Sequence, residues 1–219
     1  MELRQLLESR SLAEEFVRLR GDLASLQPAP RHIVVLGPVG GEGVTSVATR
    51  LAVALSTTLS PGRVLLAEGN TYQPSLAQAL GLGASTGLLD WDQTSALPVQ
   101  PFPGVDALSV MVAGQTKSKS TGPEWGTHLS AAARRARTDF DHVVWDAPAA
   151  TRWADGLTLA AESDGVVVVI EMDATRTDSL SFLRAALDRN RTPILGSVLN
   201  RTGRYWPRSA RPQPDIRTA

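Results

Sequence analysis

Over the first 26 residues, apolar positions recur at helical spacing. Leu3, Leu6, Leu7, Leu12, Phe16, Leu19 and Leu23 fall along one side, which predicts an amphipathic helix over residues 2–26. Gln27-Pro28-Ala29-Pro30 ends it, because proline lacks the amide donor and restricts the residue before it. Beyond this point the pattern changes to short continuous apolar runs at 32–36, 64–67, 142–145, 165–170 and 194–199, with a weaker one at 107–112. Helical stretches are predicted between them at 45–59, 75–80, 130–137, 155–162 and 177–190. Strands apolar on both faces and separated by helices imply an α/β fold: a doubly wound, mostly parallel sheet with helices on both faces. No segment of 20–50 residues repeats. Residues 201–219 carry five arginines, three prolines and one aspartate without apolar periodicity, as in a disordered basic tail. The predicted organisation is a helix and linker over 1–30, one domain over 31–200 and a tail over 201–219.

The first strand runs into Gly37-Pro38-Val39-Gly40-Gly41-Glu42-Gly43-Val44-Thr45-Ser46 and then into a helix. Strand, glycine-rich loop and helix are the context in which main-chain N–H groups converge on a phosphate, helped by the positive end of the helix. Gly40, Gly41, Glu42, Gly43, Val44, Thr45 and Ser46 are the candidate nucleotide-binding residues, and Thr45 stands where a hydroxyl would ligate Mg²⁺. A lysine is expected immediately before Thr45, and Val44 is there instead. A second lysine, found before the paired glycines in one subclass of such loops, is replaced by Val39. Neither residue can neutralise charge on a transferring phosphoryl group. A tight strand-to-helix turn in another α/β fold would look the same locally.

Composition removes some alternatives. With 219 residues and 42% hydrophobic content the chain is long enough for one well-cored domain. The formal net charge of +0 gives no general attraction to nucleic acid or anionic membranes. The absence of cysteine excludes thiol chemistry, iron–sulfur clusters and zinc–thiolate sites. No apolar run approaches the roughly 20 residues of a membrane span, so a cytoplasmic location is expected, with any membrane contact made through a partner. The only lysines, Lys117 and Lys119, fall in a glycine- and serine-rich loop and read as solvated. His32, His128 and His142 are scattered and read as satisfied structural histidines. The five tryptophans show no stacking spacing of the kind used on nucleic acid.

Further motifs carry a resemblance. Val64-Leu65-Leu66-Ala67-Glu68-Gly69-Asn70-Thr71-Tyr72-Gln73-Pro74-Ser75 resembles the V-L-L-I-D-A-D-x-R-x-P-S segment of bacterial tyrosine kinases of the CpsD/CapB type, which include the cytoplasmic domain of Wzc. Gly87-Leu88-Leu89-Asp90 is similar to the G-L-S-D that follows in that family. Phe140-Asp141-His142-Val143-Val144-Trp145-Asp146-Ala147-Pro148 resembles its Walker B strand, Y-D-Y-V-I-I-D-T-P. Residues 161–176 and Gly196-Ser197-Val198-Leu199-Asn200 resemble its A-D-G-V and G-V-V-L-N segments, and residues 14–20 resemble its E-A-F-R-R-L-R ring-packing motif. The matches run in order from Glu14 to Asn200.

The resemblance implies a fold related to MinD and ParA, ATP or ADP with Mg²⁺ as cofactor, and ATP-dependent protein-tyrosine kinase activity in exopolysaccharide (capsule) biosynthesis and export. It implies Asp146 and Glu68 as catalytic acids, Thr45 and Asp146 at the metal, and Asn200 at the adenine edge. It also implies a membrane polysaccharide co-polymerase of the chain-length-determinant type as partner, and self-association through the N-terminal helix. Arg20 keeps the last arginine of the ring motif, while Val17 replaces the middle one. Asn70 replaces a second acid, and the tail carries Tyr205 alone where the family has a tyrosine cluster. These coordinated losses point to a catalytically impaired, regulatory relative. An active autokinase using Tyr205 and a MinD/ParA-like partitioning ATPase are the alternatives, the latter disfavoured by Val39. No nucleic-acid partner is expected.

Overall fold

The structure, a computed structural model, describes residues 10–58, 62–83, 86–115 and 124–202. Lys117, Lys119, Tyr205, Trp206, the tail beyond 202 and the first turns of the N-terminal helix lie outside these residues. In chain order the elements are α1 (Arg10–Ser25), β1 (His32–Leu36), α2 (Val44–Ser56), β2 (Val64–Glu68) and α3 (Leu76–Ala79). They continue with β3 (Gln100–Pro101), β4 (Leu108–Met111), α4 (Trp125–Asp139), β5 (His142–Asp146), α5 (Asp155–Ala161), β6 (Gly165–Glu171), α6 (Thr177–Arg189) and β7 (Ile194–Asn200). A 3₁₀ turn at Leu88–Asp90 and the two-residue strand β3 were not legible in the apolar pattern, being too short to show a period. Helix α4 begins five residues before the predicted 130, because Trp125, His128 and Leu129 extend its buried stripe toward the N-terminus.

Seven strands form one sheet in the order β3-β4-β2-β5-β1-β6-β7. Every neighbouring pair is parallel except β3–β4. The α/β doubly wound class read from the sequence is therefore the fold of this chain. Strand alternation divides the core: Val34 and Leu36 of β1 face a cluster completed by α4, α5 and α6, while Ile33 and Val35 face one completed by α1 and α2. Each fully buried aliphatic side chain contributes about 1.5–3 kcal/mol relative to exposure.

Helix α1 packs against α2 through Phe16 and Leu23, both buried in that second cluster. Arg50 lies over the Phe16 ring at 5.7 Å, and Arg20 donates to the Ala54 carbonyl at 2.9 Å. The arginine matching the ring motif thus has a role inside its own chain, closing the end of α2. Central position places β1 and β5 side by side, with Val35 opposite Asp146. The loops leaving their carboxyl ends meet there, at the edge where α/β sheets place ligands.

Candidate nucleotide site at the carboxyl ends of the central strands

The loop after β1 turns on three left-handed glycines, Gly40 (φ +99°), Gly41 (φ +97°) and Gly43 (φ +90°), a conformation that strains other residues. Two are also constrained by space. A Cβ on Gly40 would stand 3.3 Å from that of Ala149, and one on Gly43 would strike the Asn200 amide. Helix α2 then starts at Val44 with no side-chain cap. The N–H groups of its first turn have no partner within the helix and carry the positive end of its dipole.

Glu42 shows how this loop keeps its shape. Its side chain is 2% exposed, and its carboxylate accepts from Val39 N at 2.7 Å and Gly40 N at 2.8 Å. The acid folds back into the loop and braces it from within, occupying the Val39 and Gly40 amides. Asn200, at the end of β7, donates from Nδ2 to the Glu42 carbonyl at 2.8 Å and accepts from Arg201 N at 2.9 Å. Val44 packs part of its side chain against the α1–α2 cluster.

Asp146 ends β5 directly beside this loop. It is 1% exposed, and neither carboxylate oxygen has a hydrogen-bond partner. Burial pushes its pKa up to about 7, opposed by the nearby Thr45 hydroxyl and assisted by the Glu68 charge. A buried carboxylate without donors is costly, and a divalent cation would satisfy it. Asp146 and the Thr45 hydroxyl fit Mg²⁺ in chemistry and position, and the N–H groups at the start of α2 fit the phosphates that such an ion accompanies.

Glu68 is paired with Asp146 in the β2–β5 ladder but is differently placed. Oε1 accepts from Ser75 N at 2.5 Å and Leu76 N at 2.8 Å, and Oε2 from Ala113 N at 2.9 Å. Burial raises its pKa and these three main-chain donors lower it. Its oxygens tie the start of α3 to the end of β4.

Between the loops lies a cavity of about 220 Å³, lined by Val39, Gly40, Gly41, Gly43, Val44, Thr45, Asn70, Gln73, Asp146, Ala147, Ala149, Arg152 and Trp153. Trp153 stacks on Tyr72 with ring centroids 3.6 Å apart and planes within 8°. Burial and a hydrogen bond to Asp155 push the Tyr72 hydroxyl up to about 12.

No protein-family model matches the chain. It is 23% identical over 201 residues to the tyrosine-protein kinase YwqD of Bacillus subtilis (strain 168), covering 88% of this chain and 83% of YwqD. The kinase domain of Escherichia coli tyrosine kinase ETK has the same fold, with a TM-score of 0.72 at 19% identity over 87% of this chain and 75% of that one. The resemblance to bacterial tyrosine kinases of the P-loop type holds. The septum site-determining protein MinD of Pyrococcus horikoshii OT3, solved with Mg-ADP, shares the scaffold more distantly. Its TM-score is 0.65 at 20% identity, over 80% of this chain and 71% of that one.

On this kinase-type scaffold the structure brings together Gly40, Gly41, Gly43, Val44, Thr45 and Asp146 around one cavity. It commits the Glu42 carboxylate, Glu68 and Asn200 to main-chain partners. The Asn200 amide braces the loop through one N–H and one lone pair of its oxygen. Of the three histidines, His128 is satisfied by Leu88 O at 3.0 Å and Gln93 Nε2 at 3.2 Å. The expectation that all are satisfied fails at His142, whose Nδ1 is buried without a partner at the start of β5. Arg152 and Trp153 escaped the sequence reading because they belong to no motif, and Tyr72, inside the second-strand segment, gave no local sign that it stacks on Trp153. Only the turn after β5 carries Arg152 and Trp153 back to the loop.

Proposed function

We propose that this chain binds a Mg²⁺-nucleotide in the manner of its kinase relatives but transfers phosphate poorly, and acts as a regulatory component of exopolysaccharide synthesis and export. It works at the inner face of the membrane, recruited by a polysaccharide co-polymerase of the chain-length-determinant type. The observation that carries the nucleotide reading is Asp146: fully buried, unpartnered, and set beside Thr45 and the uncapped start of α2. When bound, the metal would neutralise charge on the phosphates. Thr45 and Asp146 would hold it, and the loop amides would orient the phosphate chain.

Weak chemistry follows from Val39 and Val44, since removing one well-placed electrostatic donor typically slows a reaction by about 10²–10³-fold. The regulatory role and the membrane partner rest on the resemblance to CpsD/CapB-type kinases. The test is calorimetric titration of the full chain with Mg²⁺-ADP, with a Val44→Lys variant alongside and ATP turnover followed in both. The expected result is binding by the native chain with slow turnover that Val44→Lys accelerates. Absence of binding by the native chain would overturn the nucleotide reading. Rapid ATP turnover or phosphotyrosine on the native chain would overturn the impairment.

A further inference from the structure

We propose that Arg152 supplies the cationic contact to the nucleotide phosphates that Val39 and Val44 cannot, reaching the cavity from the turn after β5. The inference rests on the nucleotide reading above and concerns how that site is neutralised. Among the described residues, Arg152 is the one cationic side chain lining the cavity. The glycine loop and Asp146 line the same cavity, and the Asp146 charge would repel a phosphate chain unless cations intervene.

The placement of Arg152 is fixed by the backbone. Ala147 N donates to Val35 O at 3.1 Å, Ala150 N to Gly37 O at 3.1 Å and Thr151 N to Pro38 O at 3.0 Å. The Thr151 hydroxyl adds a bond to Pro38 O at 2.7 Å, and Arg152 N closes the turn on Ala149 O at 3.1 Å. On its other side, Trp153 is clamped against Tyr72. The turn is thus tied to the very loop whose lysines are missing, with Ala149 packed close to Gly40.

The Arg152 side chain is exposed and takes part in none of the ion pairs or side-chain hydrogen bonds among the described residues. Some exposed arginines, such as Arg134 and Arg137, are held by Glu162 and Asp164. Arg18, Arg189 and Arg191 also lack an ion pair among the described residues, but of these unpaired arginines Arg152 alone lines the cavity. A guanidinium is always charged and presents a planar fork of donors that suits phosphate oxygens, so it can replace a lysine coming from a different direction.

The experiment measures Mg²⁺-ADP affinity by calorimetry for the native chain, Arg152→Ala, Arg152→Lys, Val44→Lys and Val44→Lys with Arg152→Ala. Thermal unfolding checks that each variant is folded, which is expected because the side chain is exposed and takes part in no hydrogen bond or ion pair among the described residues. Arg152→Ala should weaken binding roughly 10- to 100-fold. Arg152→Lys should recover part of that loss. In the Val44→Lys background, removing Arg152 should cost much less, because the restored lysine takes over the same charge. Equal affinity of the native chain and Arg152→Ala would overturn this proposal and leave the nucleotide reading intact. No binding by the native chain would overturn both.

Discussion

Asp146 is buried with only the nearby Thr45 hydroxyl to favour its charged form, so the protein carries the free-energy cost of a buried acid for the sake of its site. Asp146→Asn removes the charge while keeping the shape. It should raise the stability of the unliganded protein by about 1–2 kcal/mol at pH 8, since an amide is cheaper to bury than a carboxylate. The same substitution should weaken ADP binding at least tenfold in the presence of Mg²⁺, as one metal ligand is lost, and leave Mg²⁺-free binding nearly unchanged. Urea unfolding and calorimetry with and without Mg²⁺ check the two halves. A destabilised variant with unchanged Mg²⁺ dependence would assign Asp146 a structural part only. Opposite behaviour is expected of acids that are satisfied, and Glu42 is the nearest example, with both oxygens engaged by loop amides.

Among the elements, α3 is only four residues long and has no side-chain cap of its own. An isolated helix of that length is unstable in water. Glu68 substitutes for the cap from the end of β2, and by also holding Ala113 it fixes α3 and β4 to one point. Three donors at this spacing suit the longer acid at the position where the resembling family segment has aspartate. Glu68→Asp, one methylene shorter, should not span all three donors. It should cost about 1.5–3 kcal/mol in urea unfolding, the range for hydrogen bonds to a charged group. A neutral outcome would show that the α3 and β4 ends close in on the shorter side chain. Helix α2 follows a different rule. Its first turn lacks a cap because that end faces the site, and the covering of its far end falls to Arg20.

For the whole molecule, His32 couples the sheet to pH. It sits buried at the start of β1, and burial first, then the Arg137 charge, lower its pKa from 6.5 to about 4, with Asp164 opposing. The folded pKa lies below the unfolded one, so the unfolded chain takes up the proton first as pH falls. The contribution of neutral His32 is therefore complete above about pH 6.5 and is lost progressively toward about pH 4. Melting temperatures measured from pH 7.5 to 4.5 should drop more steeply for the native chain than for His32→Val, the two curves diverging below pH 6.5. Parallel curves would exclude His32 as the source. Among the described residues, no helix is long and apolar enough to cross a membrane. Membrane recruitment through the partner belongs to the proposed role, and co-sedimentation with co-polymerase-containing vesicles would test it.

Apolar runs and glycine punctuation determined the α/β class, the parallel sheet and the phosphate-type loop, because strand burial on both faces and left-handed turns leave local signatures. The losses at Val39, Val44 and Asn70 were equally plain, being single letters in recognisable segments. What no local pattern shows is how an acid spends its oxygens. Asp146 and Glu68 look alike as strand-end carboxylates, and only the tertiary structure distinguishes an unpartnered one beside the loop from one consumed by three amides of α3 and β4. Arg152 likewise stands 108 residues beyond Val44 in the sequence. It reaches the same cavity because β1 and β5 are parallel neighbours, an adjacency set by long-range strand pairing that local sequence does not encode.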